Sequence, residues 1–348
     1  MFYIHRFSCI SPQNTFPTVD FDKVEEYTEN KLYAKEPAYQ GIPSGVLRRM
    51  GKAVRIGVGA ALPIIKDNKD ISGIIIGTAN GGLEDCIKFL NQIIEYEEGT
   101  LTPTNFVQST ANAIASQISL MSSNRGYNVT HVHRGHAFEN AVIDADMFIK
   151  ENPEKSLLIG GVDEISIYNY NMQYLSGQYK SDTISNFHLY NTDSVGSIAG
   201  EGSAMFLVNG IKDKSVAKLE GIKILASEDR GFIEEQLRSF LKDYLRDEEE
   251  LDLLLSGENG DNRMNNFYSS CERILSKNIT IARFKHLMGE HQSATALSVF
   301  LGCSILESKH VPEVMLKSKG RKNSCNKILI YNTYGSMQHT FILLSGVN

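Results

Sequence analysis

The 348-residue chain has no tryptophan, only 8 prolines and no long apolar run. So few prolines leave no room for extended proline-rich linkers, and one compact body is expected. The longest nearly apolar stretch, Val58 to Ile65, falls far short of the ~18 to 20 residues that span a bilayer. The opening MFYIHRFSCIS does not read as a signal peptide. The five cysteines, Cys9, Cys86, Cys271, Cys303 and Cys325, are odd in number and scattered without a CxxC. They exclude a small-domain disulfide framework and read as free thiols in a reducing, cytoplasmic setting. Positive charge is not in excess either: 35 Lys+Arg stand against 41 Asp+Glu, for a net charge of -6. No basic field exists to draw in phosphate backbones, so nucleic acid is not an expected partner. No GxxxxGK[ST] occurs, and Gly57-Val58-Gly59-Ala60-Ala61-Leu62 lacks the third glycine of a dinucleotide turn and lies in a helical pattern. No cofactor is expected.

What is present is ordinary globular composition, 42% hydrophobic and 22% charged, with strand-like and helix-like segments alternating throughout. The first half reads as strand Phe2–Ser11, helix Gly45–Lys66, strand Ile71–Ala79, helices Leu83–Glu95 and Phe106–Ser122, and strand Asn128–His133. Helix His136–Lys150 and strands Ser156–Ile165 and Ser203–Val208 close it. The second half reads as strand Ala217–Ala226, helix Phe232–Leu245, strand Leu251–Ser256, helix Asn262–Leu275, strand Ile279–Phe284, helix Ser293–Glu307 and strands Lys327–Tyr334 and His339–Ser345. The similar order suggests an internal duplication, with halves 1–210 and 211–348. Two stretches lack a sustained apolar period: Tyr168–Gly202, expected to be a surface excursion, and Ser308–Asn326, expected to be a solvated connection.

The string Thr130-His131-Val132-His133-Arg134-Gly135-His136 sets alternating histidines on a strand, where their side chains share a face and suggest a zinc site. It resembles the HxHxDH motif of metallo-β-lactamase-type hydrolases, with Gly135 where the motif has its acid. No clear series of ligands follows, although His286 and His291 lie downstream. Histidines satisfied by hydrogen bonds are the expectation here, with no metal; a zinc hydrolase using His131, His133 and His136 is the alternative.

Several blocks taken in order resemble the β-ketoacyl synthases of the thiolase superfamily, from Gly77 to Thr340. Gly77-Thr78-Ala79-Asn80-Gly81-Gly82-Leu83-Glu84 is similar to the family's glycine-rich turn, and Pro103-Thr104-Asn105-Phe106 opens the helix that lies along the dimer interface and acyl tunnel. Leu157–Glu164 resembles its GG-E strand. The resemblance implies an α/β, thiolase-like, internally duplicated five-layer αβαβα fold. The family's nucleophilic cysteine falls at His131 or Val132, depending on whether the count runs from Pro103 or from Gly135, and neither is a thiol. Ser256 stands for the first catalytic histidine. In Lys285-His286-Leu287-Met288-Gly289-Glu290-His291-Gln292-Ser293-Ala294 the lysine and glycine are kept, and Glu290 replaces the second histidine. The glycine-rich oxyanion and gating loop is represented by Asn332–Gln338, with Thr333, Tyr334, Gly335 and Ser336 at its centre and two glycines gone.

Acyl transfer and decarboxylative condensation need a thiolate-type nucleophile and donors for developing negative charge. A fold kept without them resembles the chain-length factors, and blocks such as PTNFVQSTAN and GYNVTHVHRG are most similar to members found with aryl-polyene and flexirubin pigments. The resemblance implies a heterodimer with a cysteine-bearing β-ketoacyl synthase that is served by an acyl carrier protein. In it the strand Asn128–His133 pairs across the interface, and Phe106, Gln108, Thr110, Asn112 and His133 shape the partner's tunnel. An active acyltransferase with a non-cysteine nucleophile is the other alternative. Arg48, Arg49, Lys52 and Arg55 offer a carrier-protein docking face, against the simpler reading of a solvated helix face. Lys285 reads as a remnant bracing the pocket, Arg246–Glu250 as an exposed helix end, and Cys271 and Cys303 as core thiols.

Overall fold

The structure, a computed structural model, describes residues 1–21, 23–246, 251–322 and 325–347. Of the acid run Arg246–Glu250, positions 247–250 lie outside the described residues. Among the described residues thirteen strands form: β1 Phe2–Ile10, β2 Lys31–Leu32, β3 Ile71–Gly77, β4 Tyr127–His131, β5 Ser156–Asp163, β6 Ala199–Gly200, β7 Gly202–Asn209, β8 Ala217–Ala226, β9 Leu253–Ser256, β10 Thr280–Arg283, β11 Leu316–Ser318, β12 Lys327–Tyr334 and β13 Gln338–Gly346. Eleven of them hydrogen-bond in the order β11-β10-β9-β12-β13-β8-β1-β7-β5-β3-β4, and β2 pairs with β6 apart from these.

That order contains a repeat. Numbering β1, β3, β4, β5, β7 as 1 to 5, the first half reads 3-2-4-5-1 from its outer edge to the centre. Numbering β8, β9, β10, β12, β13 the same way, the second half also reads 3-2-4-5-1. Directions repeat as well. β3 is parallel to β4 and β5, as β9 is to β10 and β12, while the inner pairs β5·β7, β7·β1, β12·β13 and β13·β8 are antiparallel. The halves join where β1 pairs antiparallel with β8.

Helices complete five layers. Ala294–Ser308 is apolar on every side, with 12 of its 15 residues buried, as expected of a helix covered on both faces. With Ala137–Glu151 it forms the central layer, and one core cluster holds residues of these two helices together with both sheet halves. A second cluster packs Lys52–Asp67 and Ala113–Ser122 on the outside of the first half. A third packs Arg230–Tyr244 and Asn265–Ile274 on the outside of the second. Gly77 lets the central layer close in, because a Cβ there would meet the backbone of Ala137 and Phe138.

Four expectations need correction. The single helix over 45–66 is two, Ser44–Leu47 and Lys52–Asp67, because Gly51 starts the second and the Glu164 carboxylate accepts from its Ala53 N–H. The helix over 106–122 breaks into Pro103–Gln108 and Ala113–Ser122, where Asn112 turns its side-chain oxygen to the Thr130 hydroxyl at 2.7 Å. The stretch 168–202 is no surface excursion. It holds most of the capped helix Ile167–Leu175 and sinks Lys180 into three acceptors, Ser194 O, Ser194 Oγ and Gly260 O. Within 308–326 the short strand β11 forms and covers β10.

Candidate functional site

The carboxyl ends of β3, β4, β9 and β10 lead into turns that converge on one buried polar region. Asp163, at the end of β5, organises it. One of its carboxylate oxygens accepts from Thr78 Oγ1, Ala79 N and Asn80 N, and the other from Ser293 N at 3.0 Å. The turn after β3 is thereby tied to the start of the central helix of the other half.

Lys285, fully buried, places Nζ 2.6 Å from Glu290 Oε1, and Glu290 Oε2 accepts from Asn259 Nδ2 at 2.8 Å. Each ion thus has a partner inside the protein, as burial of charge requires. Ser256, also fully buried, takes the Glu258 N–H on its hydroxyl. His291 is buried beside Ser293 Oγ, and burial with the Lys285 charge pushes its imidazole down to about 3. His286 bonds Tyr190 Oη and the Val314 carbonyl, and burial holds it at about 4. The site also contains a group that the sequence patterns do not single out. Glu139 is wholly buried, accepts from Thr340 Oγ1 at 3.1 Å, and is pushed up to about 7 by burial. It lies in the first turn of Ala137–Glu151, and its only signal in sequence is a carboxylate on an inner face that is apolar but for Asp146.

Of the three histidines of the 130–136 string, His133 and His136 set their rings edge to face with centroids 5.9 Å apart, and each of the three has its own hydrogen-bond partner. His131 ends β4 and sets Nε2 2.8 Å from Asp144 Oδ2; His133 bonds Asn140; His136 is buried against the His339 carbonyl and held at about 4. Among the described residues, no three His, Cys, Asp or Glu side chains stand where one ion would take them. The helix following β4 starts later than the counting placed it, at the tight turn Arg134–His136 that opens Ala137–Glu151. His131 therefore occupies the strand end and Val132 stands exposed, and neither is at the helix start.

The helix start is covered by the β12–β13 hairpin tip. Gly135 N–H donates to Gln338 Oε1 at 3.0 Å, and the Tyr334 side chain fills the space a Cβ on Gly135 would take. Tyr334 Oη donates to Gln178 and accepts from Gln292, which in turn accepts from Asn80. Thr333 Oγ1 donates to the Gly335 carbonyl, and Ser336 Oγ donates to Glu228. The cysteines stand elsewhere. Cys271 is pushed up to about 12 by burial, and Cys303 is fully buried and pushed up further.

The predicted interface residues lie on the other side of β4. Phe106 and Thr110 are exposed, Gln108 is buried, and Asn112 is bound to Thr130. The Phe106 and Phe89 rings meet at a tilt with centroids 5.3 Å apart, and Leu90, Ile94, Val107, Leu120 and Val132 are also exposed. Of the basic set, Arg55 is spent on Glu36 and Lys52 on Glu201, which leaves Arg48 and Arg49 at the surface. No helix among the described residues is long and apolar enough to cross a membrane.

Residues 23–175 match the family model of the β-ketoacyl synthase N-terminal domain. No curated protein matches the chain by sequence. Among solved structures, a β-ketoacyl synthase from Burkholderia phymatum STM815 superposes with a TM-score of 0.77 at 14% identity, over 100% of this chain and 99% of that one. The ishigamide ketosynthase/chain length factor gives 0.79 at 14% over 100% and 99%. A ketosynthase in complex with its chain length factor from Xenorhabdus doucetiae gives 0.77 at 14% over 99% and 98%. The chain has the thiolase-like fold of these ketosynthases from end to end, and its residues 23–175 are similar to their N-terminal domain.

Proposed function

We propose that this ketosynthase-like chain is a non-catalytic subunit, a chain-length factor that pairs with a cysteine-bearing β-ketoacyl synthase and shapes its acyl tunnel. The observation that carries the reading is the filled site. Lys285 is charge-paired to Glu290, Ser256 is buried, and Gly135 at the helix start has its amide taken by Gln338. A carboxylate at Glu290 opposes the negative charge that an enolate would develop, so the pair works against condensation rather than for it.

Support for pairing comes from β4. Among the described residues it is bonded on one side only; exposed Val132 follows it, and exposed Leu120 lies on the helix Ala113–Ser122 that packs against it, so a partner's strand has a ready template beside apolar side chains. Two of the similar structures are named as ketosynthase with chain length factor, which supports the same role. In this reading the nucleophile's place, set by counting at His131 or Val132, holds no thiol, and 1–210 and 211–348 are the two copies of a duplication. The product belongs to fatty-acid or polyene assembly in the cytoplasm, on substrates delivered by an acyl carrier protein.

The test is the intact mass of the chain after incubation with acyl- and malonyl-loaded carrier protein, with a cysteine-bearing synthase as control. An unmodified chain beside an acylated control is expected. A stoichiometric acyl adduct on this chain would overturn the reading in favour of an active acyltransferase.

A further inference from the structure

Strand β1 lies inside the eleven-strand order, between β7 and β8, where a layered fold covers a strand on both faces. It is not covered throughout. Its pairing with β8 spans only Phe2–Ile4, and its register with β7 slips at His5, between Ile4 and Arg6. From there His5 and Phe7 are half-buried and Arg6 is exposed. The opening is a cleft of about 1480 Å³, bounded further by segment 15–21, the C-terminal half of the helix Ala294–Ser308 and segment 310–314. Asp163, Lys285 and Glu290 do not line it, so it is separate from the site described above. Three features of its lining define a ligand. The Phe7 and Phe300 rings meet edge to face with centroids 5.5 Å apart and give it an aromatic wall. Its charged side chains are Asp20, Asp213, Glu307 and Glu313 against Arg6 and Lys214, with His5 and His310 beside them, so carboxylates are in excess. Ser8 lines it too, is only 9% exposed, and its hydroxyl has no hydrogen-bond partner among the described residues. A buried hydroxyl without a partner is costly, and the cleft is the side from which one can reach it.

We propose that this cleft binds a primary amine with an apolar body. The ammonium group donates to Ser8 Oγ and is drawn by the surplus of carboxylates, and the body lies against Phe7 and Phe300, where an aromatic wall also favours a cation. A ligand of the same length headed by a carboxylate meets the wrong charge. The inference stands on the cleft alone and is independent of the pairing proposed above.

Titration calorimetry of the full chain tests the site, with decylammonium as the probe and decanoate as its counterpart of opposite charge. Decylammonium is expected to saturate one site and to bind at least about tenfold more tightly than decanoate. Glu307→Gln/Glu313→Gln changes two exposed side chains and is expected to weaken decylammonium about tenfold while leaving the fold intact. Ser8→Ala is expected to weaken it by a similar factor and to leave decyltrimethylammonium, which has no N–H to donate, unchanged. Ser304→Trp places a large ring in the cleft and is expected to abolish binding. No saturable binding, equal binding of the two probes, or decylammonium binding undisturbed by the Glu307/Glu313 variant would overturn the proposal. If Ser304→Trp or Ser8→Ala does not fold by circular dichroism, the variant with the two exposed glutamates changed decides.

Discussion

The two halves repeat one strand order but finish their outer edges differently. In the second half the edge strand β10 is covered by β11, and it leads into a turn in which Lys285 through Glu290 are all buried. In the first half the equivalent strand β4 has no further strand beside it among the described residues, and it leads into a turn in which Val132, His133 and Arg134 stand exposed. The same topology is thus completed from within the chain at one end and left open at the other. An open edge of this kind invites strand addition, so under the proposed pairing β4 is the edge a second chain would extend, while the second half closes its own turn.

Breaking the sealed turn has the largest expected effect. Lys285→Met leaves Glu290 buried with only Asn259 to answer its charge, and the loss of a buried partner costs about 3–5 kcal/mol. Chemical denaturation is expected to show this drop. Lys285→Met/Glu290→Leu, which removes both charges, is expected to recover most of it. A drop in the double variant as large as in the single one would mean that the pair matters through packing rather than charge.

On the open side the turn itself is the next target. Gly135→Ala sets a Cβ against Tyr334, and overpacking of that kind costs about 1–3 kcal/mol. Tyr334→Gly in the same chain is expected to relieve it, and a double-mutant cycle in thermal denaturation reads the coupling. Beyond the turn the effect should leave stability altogether. Val132→Asp and Leu120→Asp change exposed residues, so the melting of the isolated chain should move by no more than about 0.5 kcal/mol. Association with a synthase is expected to weaken about tenfold or more. Unweakened association, measured by native mass or ultracentrifugation, would move the interface away from β4.

This contrast also separates what sequence could reveal from what it could not. Strand Ala217–Ala226 and helix Leu83–Glu95 have the bounds read from their periodicity, because each is bounded by residues that break its own pattern. The blocks around Gly77, Asp163 and Lys285 also meet at one site. The helix read over 136–150 forms as Ala137–Glu151, but the turn that opens it was not legible. A 3-10 turn of Arg134, Gly135 and His136 carries no periodic signal, and it is fixed by Gln338 and Tyr334, which arrive from the far end of the chain. Strand β11 escaped for a similar reason. It is three residues long and mostly exposed, and is held by the β10 backbone beside it and by Lys317 on Glu258 and Glu272. Local pattern reports elements that hold themselves together, and it is silent on those that tertiary partners hold.

The subtlest effect probes the seam between the two halves. Glu139 lies on the helix that follows the open edge, and it accepts from Thr340 on β13 of the other half. Burial pushes its carboxyl from the ordinary 4.5 up to about 7, against the opposing pull of hydrogen bonds from Thr295 and Thr340 and the charge of Lys285. The native state therefore holds this proton more tightly than the unfolded chain does. Its contribution to stability is complete below about 4.5 and is lost as pH rises through about 7. Glu164, raised to about 7 by burial, acts in the same sense. His136 and His291, pushed down to about 4 and about 3, act in the opposite sense and lose their contribution as pH falls below 6.5. Glu139→Gln removes the first of these terms and leaves the others. Its melting temperature relative to the wild type is expected to rise between pH 5 and pH 8, by the equivalent of on the order of 1 kcal/mol. The carboxamide costs the same at every pH, so a difference that stays flat across that range would show that Glu139 keeps one protonation state throughout, and that the seam is held by its shape alone.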